Sequence, residues 1–221
     1  AGRKLAKETS QTVLSNFNKE PYIASNYFYD AGSEKTVSIL ILGNSLTITG
    51  APEEEPDKEL RGMVSSHKEN DYVHLLVKKI ATEKNVNVNY SFLNIADFER
   101  HYSEYPFDKS RLAYCTVQNP DYLIVQIGEN VSDIRQNGEL FEKLYIELLA
   151  DFPESTKIIT LPFWPDKLKI NHITNVAVKS GAYLVDISHL GSGIDVENFA
   201  YYTKSYKVPG VGMHPGDYGM K

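Results

Sequence analysis

Three short segments carry side chains that together could do chemistry: Gly43-Asn44-Ser45-Leu46-Thr47, Gly128-Glu129-Asn130 and Gly212-Met213-His214-Pro215. Ser45 offers a hydroxyl nucleophile, Asn130 an amide that donates to a developing oxyanion, and His214 an imidazole that takes a proton near neutral pH. That set is the equipment of acyl transfer. The first two segments directly follow apolar, β-rich runs, 37–42 and 121–127, and the third reads as the start of a helix. In a parallel α/β sheet, residues just beyond the carboxyl ends of strands converge on one crevice, which would unite segments far apart in sequence. Read locally, Asn44-Ser45 also fits a helix N-cap, and Asn130 a turn or cap residue.

Other chemistries find less support. A nucleophile elbow needs G-x-S-x-G, and Gly43-Asn44-Ser45-Leu46-Thr47 lacks the second glycine; a dinucleotide fingerprint needs G-x-G-x-x-G, and only one glycine is present. No two histidines have H-E-x-x-H or other metal-ligand spacing, so neither a metal nor another cofactor is expected. The single cysteine, Cys115, excludes an intrachain disulfide and reads as a small buried hydrophobe. Among His67, His74, His101, His172 and His189, the rival base is His189, which follows the last strand; His74 reads as helix surface or boundary.

The elements that must position these residues alternate. The run 37–42 is apolar without interruption, as in a strand covered on both faces. Val73, Leu76, Val77, Ile80 and Ala81 lie on one face of a helix over 71–81, and 85–93 alternates polar with apolar residues as an edge-side strand does. A strand over 121–127, a helix over 139–150, a strand over 156–161, a helix over 168–179 ending at Gly181 and a strand over 182–187 follow. This predicts one domain with five strands in a mostly parallel, doubly wound sheet. Residues 1–36 are read as an N-terminal extension, with a short helix around Ser10–Phe17 and a Tyr-rich tail, ahead of a domain over 37–221.

Bulk properties narrow the partners. The 221 residues carry a formal net charge of −6 with no compensating basic patch, which argues against nucleic acid and anionic membrane surfaces. No run approaches the ~20 apolar residues of a membrane span. The acidic run Glu53–Glu59 contains Pro56 and reads as a solvated loop that would disfavour anionic substrates. The chain opens on Ala1-Gly2-Arg3 without Met, which fits a processed product and an extracytoplasmic location, periplasmic or secreted.

With these residues in view, the chain from about residue 37 onward resembles the SGNH (GDSL-type) hydrolases. Gly43-Asn44-Ser45 resembles their first block, Gly128-Glu129-Asn130 their third, Gly-x-Asn, and His214-Pro215 their last, in the family's order. The resemblance implies a flavodoxin-like three-layer α/β/α sandwich and ester hydrolysis through a serine acyl-enzyme. It assigns Ser45 as nucleophile, His214 as base, and the Ser45 N–H and Asn130 amide as oxyanion donors.

Two departures stand out. The family's last block is usually Asp-x-x-His, and Val211 occupies the acid's place, which predicts a Ser45–His214 dyad with Asp186 as the candidate to orient the imidazole and Asp217 a weaker one. The family's second block supplies a glycine N–H, and here Asn94-Ile95-Ala96 has none; Gly62 or Ala96 is the candidate further donor. Aromatic residues border the expected crevice, and Trp164, Tyr201 and Tyr202 are candidate substrate contacts suited to sugar faces. The expectation is a serine esterase of short acyl, chiefly acetyl, esters on a small molecule or oligosaccharide. The alternatives are a lipid esterase or thioesterase, and a catalytically degenerate carbohydrate-binding protein.

Overall fold

In the computed structural model, which describes residues 8–15, 22–49 and 60–221, the run Thr36–Gly43 is the central strand of a seven-stranded sheet. The strands are β1 Glu8–Ser15, β2 Tyr22–Tyr29, β3 Thr36–Gly43, β4 Asn87–Asn94, β5 Tyr122–Val125, β6 Thr156–Thr160 and β7 Tyr183–Val185, in the order β1-β2-β4-β3-β5-β6-β7. β4, β3, β5, β6 and β7 are the five parallel strands that the alternation predicts. β2 adds antiparallel to the free edge of β4, and β1 antiparallel to β2.

The uninterrupted apolar run of β3 has a plain cause. Leu40 and Leu42 face a core shared with Phe141, Tyr145, Ile173 and Val176, whereas Ile39 and Ile41 face Val73, Val77 and Ala81 on the other side. The first set belongs to helices α3 (Ile134–Ala150) and α4 (Lys167–Ser180), the second to α1 (Tyr72–Lys84), so the sheet lies between two helical layers. Asp71 caps α1 by accepting from the His74 N–H, and α4 runs from the Asp166 cap to Gly181 at φ 72°, where a left-handed residue ends the helix.

Four expectations change. Residues 8–15 form strand β1 rather than part of a helix; β-branched Thr9, Thr12 and Val13 favour the extended chain, and eight residue pairs tie it to β2. Residues 96–101, where the sequence pattern assigns no element, form helix α2 (Ala96–His101), burying Ala96, Phe98 and Glu99. His74 is buried, its Nδ1 2.7 Å from Asp71 Oδ1 and its ring edge-on to Tyr27, Tyr90 and Phe92. His214 comes just after a short helix α5 (Pro209–Gly212) instead of opening one. The acidic run Glu53–Glu59 lies outside the described residues. Cys115 is a core residue, and burial pushes its thiol up to about 12.

Candidate active site

β3 delivers Ser45 through a tight turn. At Gly43 a Cβ would stand 1.8 Å from Thr47 Oγ1, so only glycine lets the chain fold back this closely. The Thr47 and Ile48 N–H groups both donate to the Asn44 carbonyl at 3.0 Å, and Leu46 N–H donates to Asn44 Oδ1 at 3.1 Å. The expected helix N-terminus after Ser45 is therefore a single turn organised by Asn44. Among the described residues the Ser45 N–H meets no acceptor, whereas the Ser45 carbonyl accepts from Met63 N–H at 2.7 Å.

His214 faces this turn. Its Nε2 lies 3.1 Å from Ser45 Oγ, and its Nδ1 lies 2.9 Å from the Gly210 carbonyl one turn back. A carbonyl only accepts, so Nδ1 carries the proton and Nε2 turns its lone pair toward the serine hydroxyl. Burial holds the imidazole below the ordinary histidine range, against the raising effect of its backbone partners Gly210 and Val211. Trp164 stands edge-on to the ring at 5.1 Å and donates from Nε1 to the Met213 carbonyl at 3.1 Å. The Ala200 N–H donates to the His214 carbonyl at 2.9 Å, and Asp217 accepts from Ser66 N–H at 2.8 Å and Asn70 Nδ2 at 3.1 Å, anchoring the segment on both sides.

Asp186 does not orient the imidazole. Its carboxylate accepts from Ser188 N–H at 2.9 Å and Ser188 Oγ at 2.6 Å, a local turn that uses the acid up, while the Nδ1 partner is the Gly210 carbonyl. His189 is exposed and takes no part.

The segment Gly128-Glu129-Asn130 turns on Gly128, whose φ of 132° suits glycine alone. Beneath it lies Glu99 of α2, fully buried. Its Oε1 accepts from the Gly128 N–H at 2.6 Å and the Asn130 N–H at 3.1 Å, and its Oε2 from Asn130 Nδ2 at 2.8 Å. Arg100 Nη2 donates to Asn130 Oδ1 at 3.2 Å, so the amide is held at both ends. Asn44 Nδ2 reaches Glu99 Oε1 at 3.3 Å and Glu129 Oε2 at 2.7 Å; Glu129 also accepts from Gln126 Nε2 at 2.7 Å and Phe163 N–H at 2.8 Å. Burial first, and then the Glu129 charge, push Glu99 up to about 7; burial raises Glu129 as well.

Neither candidate for a further oxyanion donor is open. The Gly62 N–H donates to Asp71 Oδ2 at 3.3 Å and the Ala96 N–H to Asn94 Oδ1 at 2.9 Å. The donors left are the Ser45 N–H and the second hydrogen of the Asn130 amide. Of the aromatic residues, Trp164 braces His214, Tyr201 stacks on Phe199 at 5.5 Å, and Tyr202 is exposed. Among the described residues no group of three or more His, Cys, Asp or Glu side chains is placed to hold a metal, and no helix is long and apolar enough to cross a membrane.

Sequence reasoning missed Glu99, Glu129 and the Gly210 carbonyl. A signal for α2 exists in Ile95, Phe98 and Tyr102, whose spacing of three and four residues fits one buried helix face. A main-chain carbonyl leaves no such trace.

No protein-family model matches the chain, and no curated protein matches its sequence. Solved structures do match its fold. A two-domain esterase active on acetylated mannans, co-crystallised with mannopentaose, aligns with a TM-score of 0.53 at 14% identity, over 86% of this chain and 47% of that one. A carbohydrate esterase family 2 enzyme with a carbohydrate-binding domain from Corynascus thermopiles (Myceliophthora fergusii) gives 0.47 at 14%, over 83% and 62%. A protein described as a GDSL-like lipase from Bacteroides ovatus ATCC 8483 gives 0.49 at 10%, over 85% and 93%. The fold assignment rests on the first of these. The chain spans about half the length of that two-domain esterase and shares its α/β fold.

Proposed function

We propose that this chain is a serine esterase of the SGNH type that hydrolyses short acyl, chiefly acetyl, esters on carbohydrate. The observation that carries the reading is the pairing of Ser45 Oγ with His214 Nε2 at 3.1 Å, with Nδ1 tied to the Gly210 carbonyl. Ser45 Oγ attacks the ester carbonyl and passes its proton to Nε2; the carbonyl electrons move to oxygen, which the Ser45 N–H and Asn130 amide stabilise. The tetrahedral species collapses, the C–O bond to the sugar breaks, and the leaving oxygen takes the proton from Nε2. Water then attacks the acyl-serine, gives a proton to His214 and releases the acid, and Ser45 recovers its proton. Lack of a helix after Ser45 leaves the work of stabilising the oxyanion to these two donors.

The sugar side of the reading draws support from the fold shared with an esterase active on acetylated mannans and from exposed Tyr202 near the His214 segment. A polysaccharide substrate fits an extracytoplasmic site of action. The occupied Gly62 and Ala96 N–H groups favour a second reading, a carbohydrate-binding protein that has lost the chemistry.

Hydrolysis of 4-nitrophenyl acetate, acetylated xylo-oligosaccharide and acetylated mannan by the parent, Ser45→Ala and His214→Ala separates the two. The expected result is release of acetate by the parent and its loss in both variants, with fluorophosphonate labelling lost in Ser45→Ala. An inert, unlabelled parent overturns the esterase reading, and binding of the acetylated oligosaccharide by that inert parent would support the binding protein. A preference for acyl chains of eight or more carbons would point to a lipid esterase instead.

A further inference from the structure

Glu99 accepts four N–H donors, and three of them belong to one turn: the Gly128 N–H, the Asn130 N–H and Asn130 Nδ2. The fourth is Asn44 Nδ2, on the residue just before Ser45. One planar, fully buried group thus binds both the nucleophile turn and the turn bearing the amide donor. An amide nitrogen is planar and its two hydrogens stand about 120° apart, so committing one hydrogen to Glu99 Oε2 fixes the direction of the other. The Arg100 bond to Asn130 Oδ1 sets which end is nitrogen.

We propose that Glu99 is a positioning residue for acyl transfer, fixing the aim of the free Asn130 amide hydrogen and its place relative to the Ser45 N–H. This rests on the esterase reading above. A carboxylate suits the task because every partner is an N–H donor, three of them on Oε1 and one on Oε2, and a carboxylate oxygen accepts more than one bond. A glutamine at 99 puts an NH2 where one oxygen stood, and that NH2 faces donors it cannot accept from. Catalytic geometry is sensitive to such shifts, a misplacement of about 1 Å costing on the order of 100-fold.

The test is a double-mutant cycle on 4-nitrophenyl acetate with Glu99→Gln, Asn130→Ala and the pair, each checked for folding by its thermal transition. Glu99→Gln should lower kcat by about 10- to 100-fold with KM within about twofold, and in the Asn130→Ala background it should cost under about threefold. Equal losses in both backgrounds, or an active parent indifferent to Glu99→Gln, would overturn the positioning role while leaving the esterase reading intact. A parent inert to ester and fluorophosphonate alike would overturn the reading and the role together. Should Glu99→Gln not fold, the parent answers by NMR. Its Asn130 side-chain amide, identified by loss of the signal in Asn130→Ala, should show one downfield, slowly exchanging proton that moves as Glu99 titrates. A pair at random-coil shifts with free exchange would overturn the role.

Discussion

His214 has to be neutral to accept the Ser45 proton, and burial makes its charged form costly. The acidic limb of a kcat/KM profile should therefore fall below the ordinary histidine value of about 6.5, activity being retained as pH drops toward that point and lost only lower. A pH–rate series on 4-nitrophenyl acetate in Glu99→Gln, where the titration of Glu99 at about 7 is removed, checks this; an acidic limb at about 7 or above in that variant would contradict it. The same scale shows what a sequence reveals. The placement of Ser45 beside His214 was legible because the two segments that carry them stand in a fixed order along the chain, although Ser and Asn by themselves are ordinary turn and cap residues. Asp186 misled because an acid at the end of a strand looks available, whereas Ser188, two residues on, provides both of its hydrogen bonds.

At the scale of elements, the two turns that carry the site depend on glycine for different reasons. A Gly128→Ala change forces an L side chain to a φ of 132° and brings its Cβ to 2.9 Å from Ile173 Cδ1, with an expected cost of about 1–3 kcal/mol. A Gly43→Ala change drives into Thr47, whose Oγ1 is held 2.6 Å from the Tyr72 hydroxyl, so the overpacking should cost about 1–3 kcal/mol. Urea unfolding of both variants measures these losses, and a change below about 0.5 kcal/mol in either would refute the corresponding strain. The five parallel strands and the longer helices were readable because continuous apolar runs and 3.6-residue spacing report burial on two faces or one. β1 was not, since eight residues at a sheet edge are fixed by their pairing with β2, and α2 left only the short trace of Ile95, Phe98 and Tyr102, its six residues being fixed by the buried core around Phe98 and Glu99.

For the whole molecule, the buried acids make stability depend on pH. Glu99 at about 7 and Glu129, also raised, hold protons in the folded state that the unfolded chain releases near pH 4.3. Stability from this pair is complete below that value and declines as pH rises toward about 7. Lys169, which donates to the Glu129 carbonyl at 3.1 Å, is the cation acting on Glu129, whereas Arg100 binds the Asn130 amide that Glu99 holds. His214 acts in the opposite sense, because its lowered value makes stability rise as pH increases toward about 6.5. Thermal transitions of the parent and Glu99→Gln between about pH 5 and 8 separate the two: the parent's stability relative to the variant should fall as pH rises, and a flat difference would exclude a raised Glu99. The carbonyl that orients His214 has a further consequence. It belongs to the main chain, so its presence is indifferent to the side chain at 210, but it stays in place only while the four-residue helix Pro209–Gly212 stays wound. So short a helix frays before a packed sheet melts. On heating, the protein should lose its base while the fold is still intact, going catalytically silent at temperatures where a spectroscopic melt still reads native.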